Sequence, residues 1–340
     1  MEMTNQKGRV CVTGGSGYIG SWLVKMLLEN GYTVHATLRN LGDASKVGLL
    51  KSLPNAESKL VLFEADIYNP IEFEPAIKGC EFVLHVATPM QHNTQSNQYK
   101  DTTEAAVAGV GVIAESCIRS QTVKRLIYTA SIMASSQLIE GGNGLWSCVD
   151  ESCWTPLDHP FTCGTDSTLA YTRSKTLAEK AVLKYNEIEN SKLEVVTLPC
   201  GGVGGDTLLP YLSLTLEVIC SQLIGNSDLY KAFEFLQEIT GSIPLVHIED
   251  VCRVHIFCME RPSMKGRFFC AVANPTVKGI GLHFQDNFPE YKIAKGFLEG
   301  PERGTTYDFT KLMKLGFEYK YDVKKILDQS VECGRRFGAL

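Results

Sequence analysis

Residues 8–40 read GRVCVTGGSGYIGSWLVKMLLENGYTVHATLRN. The run from Arg9 to Thr13 is short and apolar, the pattern of a strand buried on both faces. From Tyr18 onward Ile19, Trp22, Leu23, Met26 and Leu27 recur at helical spacing. Gly31 supplies a helix stop, and YTVHATLR reads as a second strand. Together these make a β-α-β unit, whose crossover is right-handed. Between strand and helix, Gly14, Gly17 and Gly20 give the spacing G-x-x-G-x-x-G. Glycine permits the positive φ of a tight turn, and its missing side chain lets backbone N–H groups reach a pyrophosphate at the helix N-terminus. A glycine run alone is a weak signal. Flanked by strand, helix and strand, it predicts a dinucleotide site built from Gly14, Gly17, Tyr18, Ile19 and Gly20.

The end of the second strand selects between dinucleotides. An acid there grips the ribose 2′-hydroxyl of NAD, but the chain places Arg39 at that point, with Lys46 seven residues on. A guanidinium fits a phosphate bidentately, so the expected cofactor is NADPH/NADP+. Lys46 reads equally well as a solvated lysine at the start of a helix.

Apolar strands continue to alternate with helices. KLVLFEAD ends a third strand at Asp66, CEFVLHVATP is a fourth, KRLIYTAS a fifth and LEVVTLP a sixth, while TTEAAVAGVGVIAESCIRS is a helix. This is the pattern of an α/β Rossmann-type, doubly wound parallel sheet. Ligands of such sheets sit at the carboxyl ends of the strands. That adds Asp66, Ile67, Ala87, Thr88, Ser131 and Pro199 to the candidates. In LAYTRSKTLAEKAVLKY, Tyr171 and Lys175 are four apart and share a helix face. By itself such a pair is more often an exposed coincidence than a site. At the start of a helix packed on this sheet, it can meet Ser131.

The blocks TGGSGYIG, YTAS and YTRSKTLAEK resemble the extended short-chain dehydrogenase/reductase family, over nearly the whole chain. Among its members the plant reductases of flavonoid metabolism are most similar: dihydroflavonol reductase, anthocyanidin reductase, vestitone reductase and cinnamoyl-CoA reductase. The matching blocks are GSWLVKMLLENGY, VATPM, TVKRLIYTAS, SKTLAEKA and VHIEDVCRVHIF. The last resembles the anthocyanidin-reductase branch; KGRVCVTGG and GSWLVKMLLENGY also resemble vestitone reductase.

The resemblance implies an NADPH-dependent carbonyl reductase of specialised metabolism with Ser131, Tyr171 and Lys175 as catalytic residues. Tyr171 would donate the proton, and Tyr171 and Lys175 would also hold the cofactor. An ammonium beside a phenol, together with the bound cofactor, lowers the phenol's pKa, which is the expectation for Tyr171. Substrate contacts would come from Ser131, Met133, Ser136 and Tyr171, Ser136 standing where dihydroflavonol reductases carry an asparagine or related polar residue. CGGVGGDTLLP is richer in glycine than the family's P-T-L-V-x-G-P. Both departures predict a pocket of different shape with fewer polar anchors. Double reduction of an anthocyanidin, reduction of an alkaloid ketone or iminium, and a non-catalytic NADP-binding regulator are the alternatives.

Residues 1–200 plus 241–275 are expected to form the cofactor domain, and 201–240 plus 276–340 a smaller, interleaved substrate domain. LPYLSLTLEVICSQLIG and DLYKAFEFLQEI read as helices of the latter, IPLVHIEDVCRVHIFCME returns to the sheet, and GRFFCAVA is another strand. Tyr230, Phe233 and Phe235 read as core at helical spacing, and Asp250 as a helix cap. His85 and His247 read as hydrogen-bonded structural residues.

A net charge of −5 argues against nucleic-acid binding. No run reaches the roughly 18 apolar residues of a membrane span. The opening MEMTNQKGRVCVTGG lacks the features of a signal peptide. A cytoplasmic enzyme of small molecules, monomeric or homodimeric, is expected. The 12 cysteines form no C-x-x-C pair and read as core filling; no histidine spacing supports a metal at Cys148, Cys153 and Cys163.

Overall fold

The computed structural model describes residues 7–89, 98–139, 141 and 144–340. The first six residues, part of the stretch read for a signal peptide, and Met90 of the VATPM block lie outside them. The chain divides into two compact units. One comprises Met1–Thr129, Leu177–Thr197 and Cys252–Arg267; the other comprises Ala130–Thr176, Leu198–Val251 and Phe268–Leu340.

Strands β1 (Arg9–Thr13), β2 (Thr33–Leu38), β3 (Leu60–Glu64), β4 (Phe82–His85), β5 (Arg125–Ser131) and β6 (Glu194–Cys200) belong to one sheet. Strands β7 (Gly202–Gly204) and β8 (Leu245–His247) form a separate parallel pair, and β9 (Gly266–Arg267) rejoins the large sheet. The order is β3-β2-β1-β4-β5-β6-β9. The ladders β1–β2, β1–β4, β2–β3, β4–β5 and β6–β9 are parallel. The reversal of direction beside β1 is the switch point of a doubly wound sheet. Central strands are buried along their length: all seven residues of β5 are buried, and all of β1 after Arg9. Val61 of the edge strand β3 is exposed instead.

Helix Thr102–Ser120 shows why these sequences form helices. Asp101 caps it, its carboxylate accepting the Glu104 amide at 2.8 Å, which satisfies one orphan donor of the first turn. Ala106, Gly109, Val110, Ile113, Ala114 and Cys117 recur at three- and four-residue spacing and are buried. Full burial of a Val or Ile side chain contributes about 1.5–3 kcal/mol. Against the penalty of ordering a residue, such faces hold helices that propensity alone would not.

Several boundaries differ from expectation. IPLVHIEDVCRVHIFCME does not return to the large sheet. Its first strand, β8, pairs with the glycine strand β7, and Ile248–Glu260 is a helix with Val251, Val254, Cys258 and Met259 buried. Asp250 does not cap that helix from outside. It sits in the first turn, and its carboxylate accepts the amides of Lys320 and Tyr321 at 3.0 and 3.1 Å. GRFFCAVA contributes only Gly266–Arg267 to a ladder, then isolated bridges from Cys270 to Cys200 and from Ala273 to Leu245. LPYLSLTLEVICSQLIG is helical only from Leu214, and breaks at Cys220. Pro210 lies just upstream, and a proline removes a backbone donor and disfavours helix in its predecessor.

Tyr230, Phe233 and Phe235 are buried as expected, Tyr230 and Phe233 in one core cluster of the second unit. Ten of the twelve cysteines are buried, Cys148 being exposed and Cys163 half-buried. Among the described residues no helix is long and apolar enough to cross a membrane, and no cluster of His, Cys, Asp and Glu could hold a metal.

Candidate active site

In the first unit, the glycine turn is held rigidly. Gly14 takes φ +66°, and its N–H donates to Thr37 Oγ1 at 3.2 Å while the Gly15 N–H donates to the Thr37 carbonyl at 2.9 Å. Gly17 ends the turn as the N-cap of helix Tyr18–Glu29, its N–H donating to the Gly14 carbonyl at 3.0 Å. A Cβ on Gly20 would lie 2.1 Å from the Gly14 oxygen, so only glycine lets helix and turn approach this closely. No side chain caps this helix.

The other strand ends gather around Thr13. Its hydroxyl accepts the amides of Val86 and Ala87 at 3.0 and 3.1 Å, and faces His85 Nδ1 at 2.8 Å. With both acceptor positions used, the hydroxyl proton points at Nδ1, which assigns the Nε2–H tautomer to His85. Thr13 and His85 are buried, so His85 is a structural residue, as the sequence implies. Thr88 follows, half-buried. Asp66 comes two residues after β3; its carboxylate accepts the Tyr68 amide at 3.0 Å and its own amide donates to Glu72. Ile67 is buried in the space left by Gly109.

Arg39 follows β2, exposed, and its guanidinium has no acceptor among the described residues. Lys46 has one: its ammonium pairs with Asp43, the N-cap of helix Ala44–Lys51, at 3.0 Å. An exposed pair of this kind contributes about 0.2–1 kcal/mol, a weak hold against a doubly charged phosphate.

Ser131, Tyr171 and Lys175 all lie in the second unit. Ser131 ends β5 and is buried; its Oγ accepts the Met133 amide at 3.3 Å, so it serves as cap to the short turn Ile132–Ala134. Thr155 fixes that turn, its hydroxyl donating to the Met133 carbonyl at 2.7 Å and its amide to Ala134 at 3.1 Å. Met133 is half-buried. Tyr171 and Lys175 lie on helix Asp166–Leu183, Tyr171 half-buried and Lys175 buried. The Ser131 hydroxyl stands near enough to the Tyr171 phenol to lower its pKa. Two of the three proposed catalytic groups are therefore neighbours, and Lys175 is one helical turn from Tyr171.

The protein's own groups set the direction of the Tyr171 pKa. Burial pushes the phenol above its usual value; the Ser131 hydroxyl opposes that and the nearby Cys200 adds to it. Desolvation disfavours the phenolate more than the hydroxyl favours it, so the phenol holds its proton at neutral pH.

Ser136 does not present a substrate contact. It is fully buried, its hydroxyl donating to the Ile239 carbonyl at 2.8 Å and accepting the Leu138 amide at 3.1 Å. Pro199, buried in β6, accepts the Cys270 amide through its carbonyl at 3.0 Å. The glycines of CGGVGGD, read as a sign of altered pocket shape, are accounted for by packing. A Cβ on Gly201 would lie 2.5 Å from the Pro244 oxygen, and one on Gly205, at φ +102°, 2.2 Å from His247 Nε2. His247 bonds Gln329 at 2.8 Å and stacks on Tyr321. Thr13 and Thr37 were not among the sequence candidates. Their signal is a threonine in an otherwise apolar strand end beside the glycine turn.

The family model described as the NAD dependent epimerase/dehydratase family matches residues 10–269. The chain is 36% identical over 335 residues to an anthocyanidin reductase ((2S)-flavan-3-ol-forming) of Vitis vinifera, covering 98% of this chain and 97% of that one. It is 35% identical over 337 residues to the dihydroflavonol 4-reductase of Callistephus chinensis, covering 97% and 87%. The crystal structure of vestitone reductase from alfalfa (Medicago sativa) superposes with a TM-score of 0.78 at 34% identity, covering 98% of this chain and all of that one.

Proposed function

Because the chain belongs to the NAD dependent epimerase/dehydratase family and is an NAD(P)-dependent oxidoreductase of the extended short-chain type, we propose that it is an NADPH-dependent reductase of a carbonyl in a polycyclic, aromatic plant-type metabolite. The observation that carries the reading is the nearness of the buried Ser131 hydroxyl to a protonated Tyr171, with Lys175 buried one turn further along the same helix.

The turn at Gly14, Gly17 and Gly20 fits a pyrophosphate, since a Cβ at Gly14 or Gly20 would press on neighbouring backbone. Tyr18 and Ile19 begin the helix behind it, and Arg39 is a cation awaiting an acceptor, which favours the 2′-phosphate of NADP. Asp66, Ile67, Ala87, Thr88 and Pro199 are the further cofactor contacts in this reading, with Lys46 released from Asp43 to join Arg39. The bound cofactor supplies hydride to the carbonyl carbon. Tyr171 delivers its proton to the carbonyl oxygen, and Ser131 hydrogen-bonds that oxygen. Lys175 favours the phenolate left behind and holds the cofactor end next to it. General acid catalysis of this kind contributes roughly 10²–10⁴-fold. Met133 lines the substrate side; Ser136 has no part in it. The segments 1–200 plus 241–275 serve the cofactor, and 201–240 plus 276–340 the substrate.

The relatives are named for reducing an anthocyanidin, a dihydroflavonol and vestitone, so the substrate class follows theirs. NADPH consumption, read by absorbance against these compounds and a panel of alkaloid ketones and iminium ions, tests the proposal. Turnover of a carbonyl substrate is expected. Tight NADPH binding with no turnover across the panel would mark a non-catalytic binder instead.

A further inference from the structure

Helix Ser227–Thr240 places Glu238 in its last turn, where the helix dipole disfavours a carboxylate. What that carboxylate touches accounts for it. Glu238 Oε1 accepts the Thr162 amide at 2.6 Å and the Thr162 hydroxyl at 2.7 Å, and Oε2 accepts the Cys163 amide at 2.8 Å. Burial raises the pKa of this carboxyl, but the bonds from Thr162 and Cys163 outweigh it and hold the group below the usual carboxylate range.

Thr162 and Cys163 lead directly into helix Asp166–Leu183. A Cβ on Gly164 would lie 2.9 Å from Leu169 Cδ2 and 3.0 Å from Phe235 Cε2, so the segment is wedged between the two helices. Thr165 then caps the helix reciprocally: its amide donates to Thr168 Oγ1 at 2.9 Å, and the Thr168 amide donates to Thr165 Oγ1 at 3.3 Å. At 1.5 Å rise per residue, Tyr171 stands about 9 Å along the helix from Thr165.

The same helix end holds the other catalytic segment. The Ile239 carbonyl accepts the Ser136 hydroxyl at 2.8 Å and the Gln137 amide at 3.1 Å, and the Glu238 carbonyl accepts Gln137 Nε2 at 3.1 Å. Ser136 is five residues past Ser131. Both arms, one carrying Ser131 and one carrying Tyr171, are thus tied to a single post, the C-terminal turn of helix Ser227–Thr240.

We propose that Glu238 is a positioning residue that sets the Ser131–Tyr171 contact by clamping Thr162 and Cys163 to this post. Its kinetic consequence rests on the reductase reading above; its structural consequence does not. Glu238→Gln keeps the shape but turns an amide N–H₂ toward a backbone donor. Loss of the clamp lets the helix start shift, and a displacement of about 1 Å at a catalytic group can lower turnover about 10²-fold. Moving Tyr171 away from the Ser131 hydroxyl also removes the interaction that lowers the Tyr171 pKa, so the high-pH limb of the rate profile moves to higher pH.

The experiment compares the full-length protein with Glu238→Gln and with Glu234→Gln, one turn earlier on the same helix and outside the clamp. Hydrogen exchange over residues 162–172, the NADPH dissociation constant by fluorescence, and kcat against pH with dihydroflavonol, anthocyanidin and vestitone are read for each. Expected for Glu238→Gln are faster exchange in 162–172, a kcat about ten- to hundred-fold lower, a high-pH limb displaced upward and NADPH affinity within two- to three-fold of the parent. Glu234→Gln should resemble the parent. Unchanged exchange, or a lower kcat with an unmoved pH limb, overturns the proposal, as would Glu234→Gln behaving identically. If the parent turns over none of these substrates while Glu238→Gln still loosens 162–172 selectively, the clamp stands and the reductase reading fails.

Discussion

Replacing Gly20 by alanine tests the cofactor turn with one methyl group. The new Cβ would stand 2.1 Å from the Gly14 oxygen and 3.0 Å from both the Gly14 carbonyl carbon and Gly15 Cα. That is about 1 Å inside the closest approach that packed carbon atoms make to backbone. The turn has no room to withdraw. Gly14 and Gly15 are tied to Thr37, and a Cβ on Gly14 would already be 3.1 Å from Ala87 Cα, so Ala87 backs the turn. Helix Tyr18–Glu29 must move instead, yet Leu23, Val24, Leu27 and Leu28 are fully buried on it. Overpacking of this kind costs about 1–3 kcal/mol. A unit of this size loses roughly 2–4 °C of Tm per kcal/mol. The displaced helix N-terminus also withdraws its amides from the pyrophosphate. A tenfold weaker NADPH affinity, about 1.4 kcal/mol, is the least expected. Fluorescence titration with NADPH and a thermal melt on the same sample read both quantities. An unchanged Kd with an unchanged Tm would show that the turn does not carry the cofactor in this geometry.

Arg39→Ser should weaken NADPH roughly ten- to hundred-fold, the loss of a charge-assisted hydrogen bond of about 1.5–3 kcal/mol, and leave NADH binding unchanged; titration with both cofactors distinguishes this from general damage. Ser131→Ala removes the hydroxyl that lowers the Tyr171 pKa. The phenol then holds its proton to higher pH, so the high-pH limb of kcat moves upward while kcat itself falls. Arg267 and Glu179 form a buried pair at 3.0 Å, with Thr197 donating to Glu179 at 2.7 Å. Arg267→Met leaves that carboxylate uncompensated and should cost about 3–5 kcal/mol of stability, read as a lower denaturation midpoint, with the double change Arg267→Met/Glu179→Leu recovering part of the loss.

The residues that shape the sheet announce themselves because their constraints are local. Val10–Val12 is apolar because it is enclosed on both sides, and Gly20 is glycine because a carbonyl oxygen stands where a side chain would be. What the sequence hides is which partner a local signal serves. Ser136 matches a family offset, but the hydroxyl is consumed by the Ile239 carbonyl 103 positions away. The glycines of CGGVGGD read as pocket space, whereas Pro244 and His247 fill it. PLVH has the composition of a central strand, yet it pairs with those glycines, because a chain's β pattern carries no address. The Tyr171 pKa is a balance of burial against one hydroxyl, and burial is set by the whole fold. Glu238 does leave a trace, an acid at the wrong end of a helix, but its two tied segments begin 76 and 101 positions away.

Every chemical step proposed above ends at one phenol proton. The decisive measurement is a single-turnover reduction of a relative's substrate by NADPH, followed by cofactor absorbance, in the parent and in Tyr171→Phe. Removing only the hydroxyl should leave NADPH affinity in place and lower the rate constant by about 10²-fold or more. A Tyr171→Phe rate constant near that of the parent, at equal NADPH occupancy, would contradict the assignment of the proton donor and with it the proposed reaction.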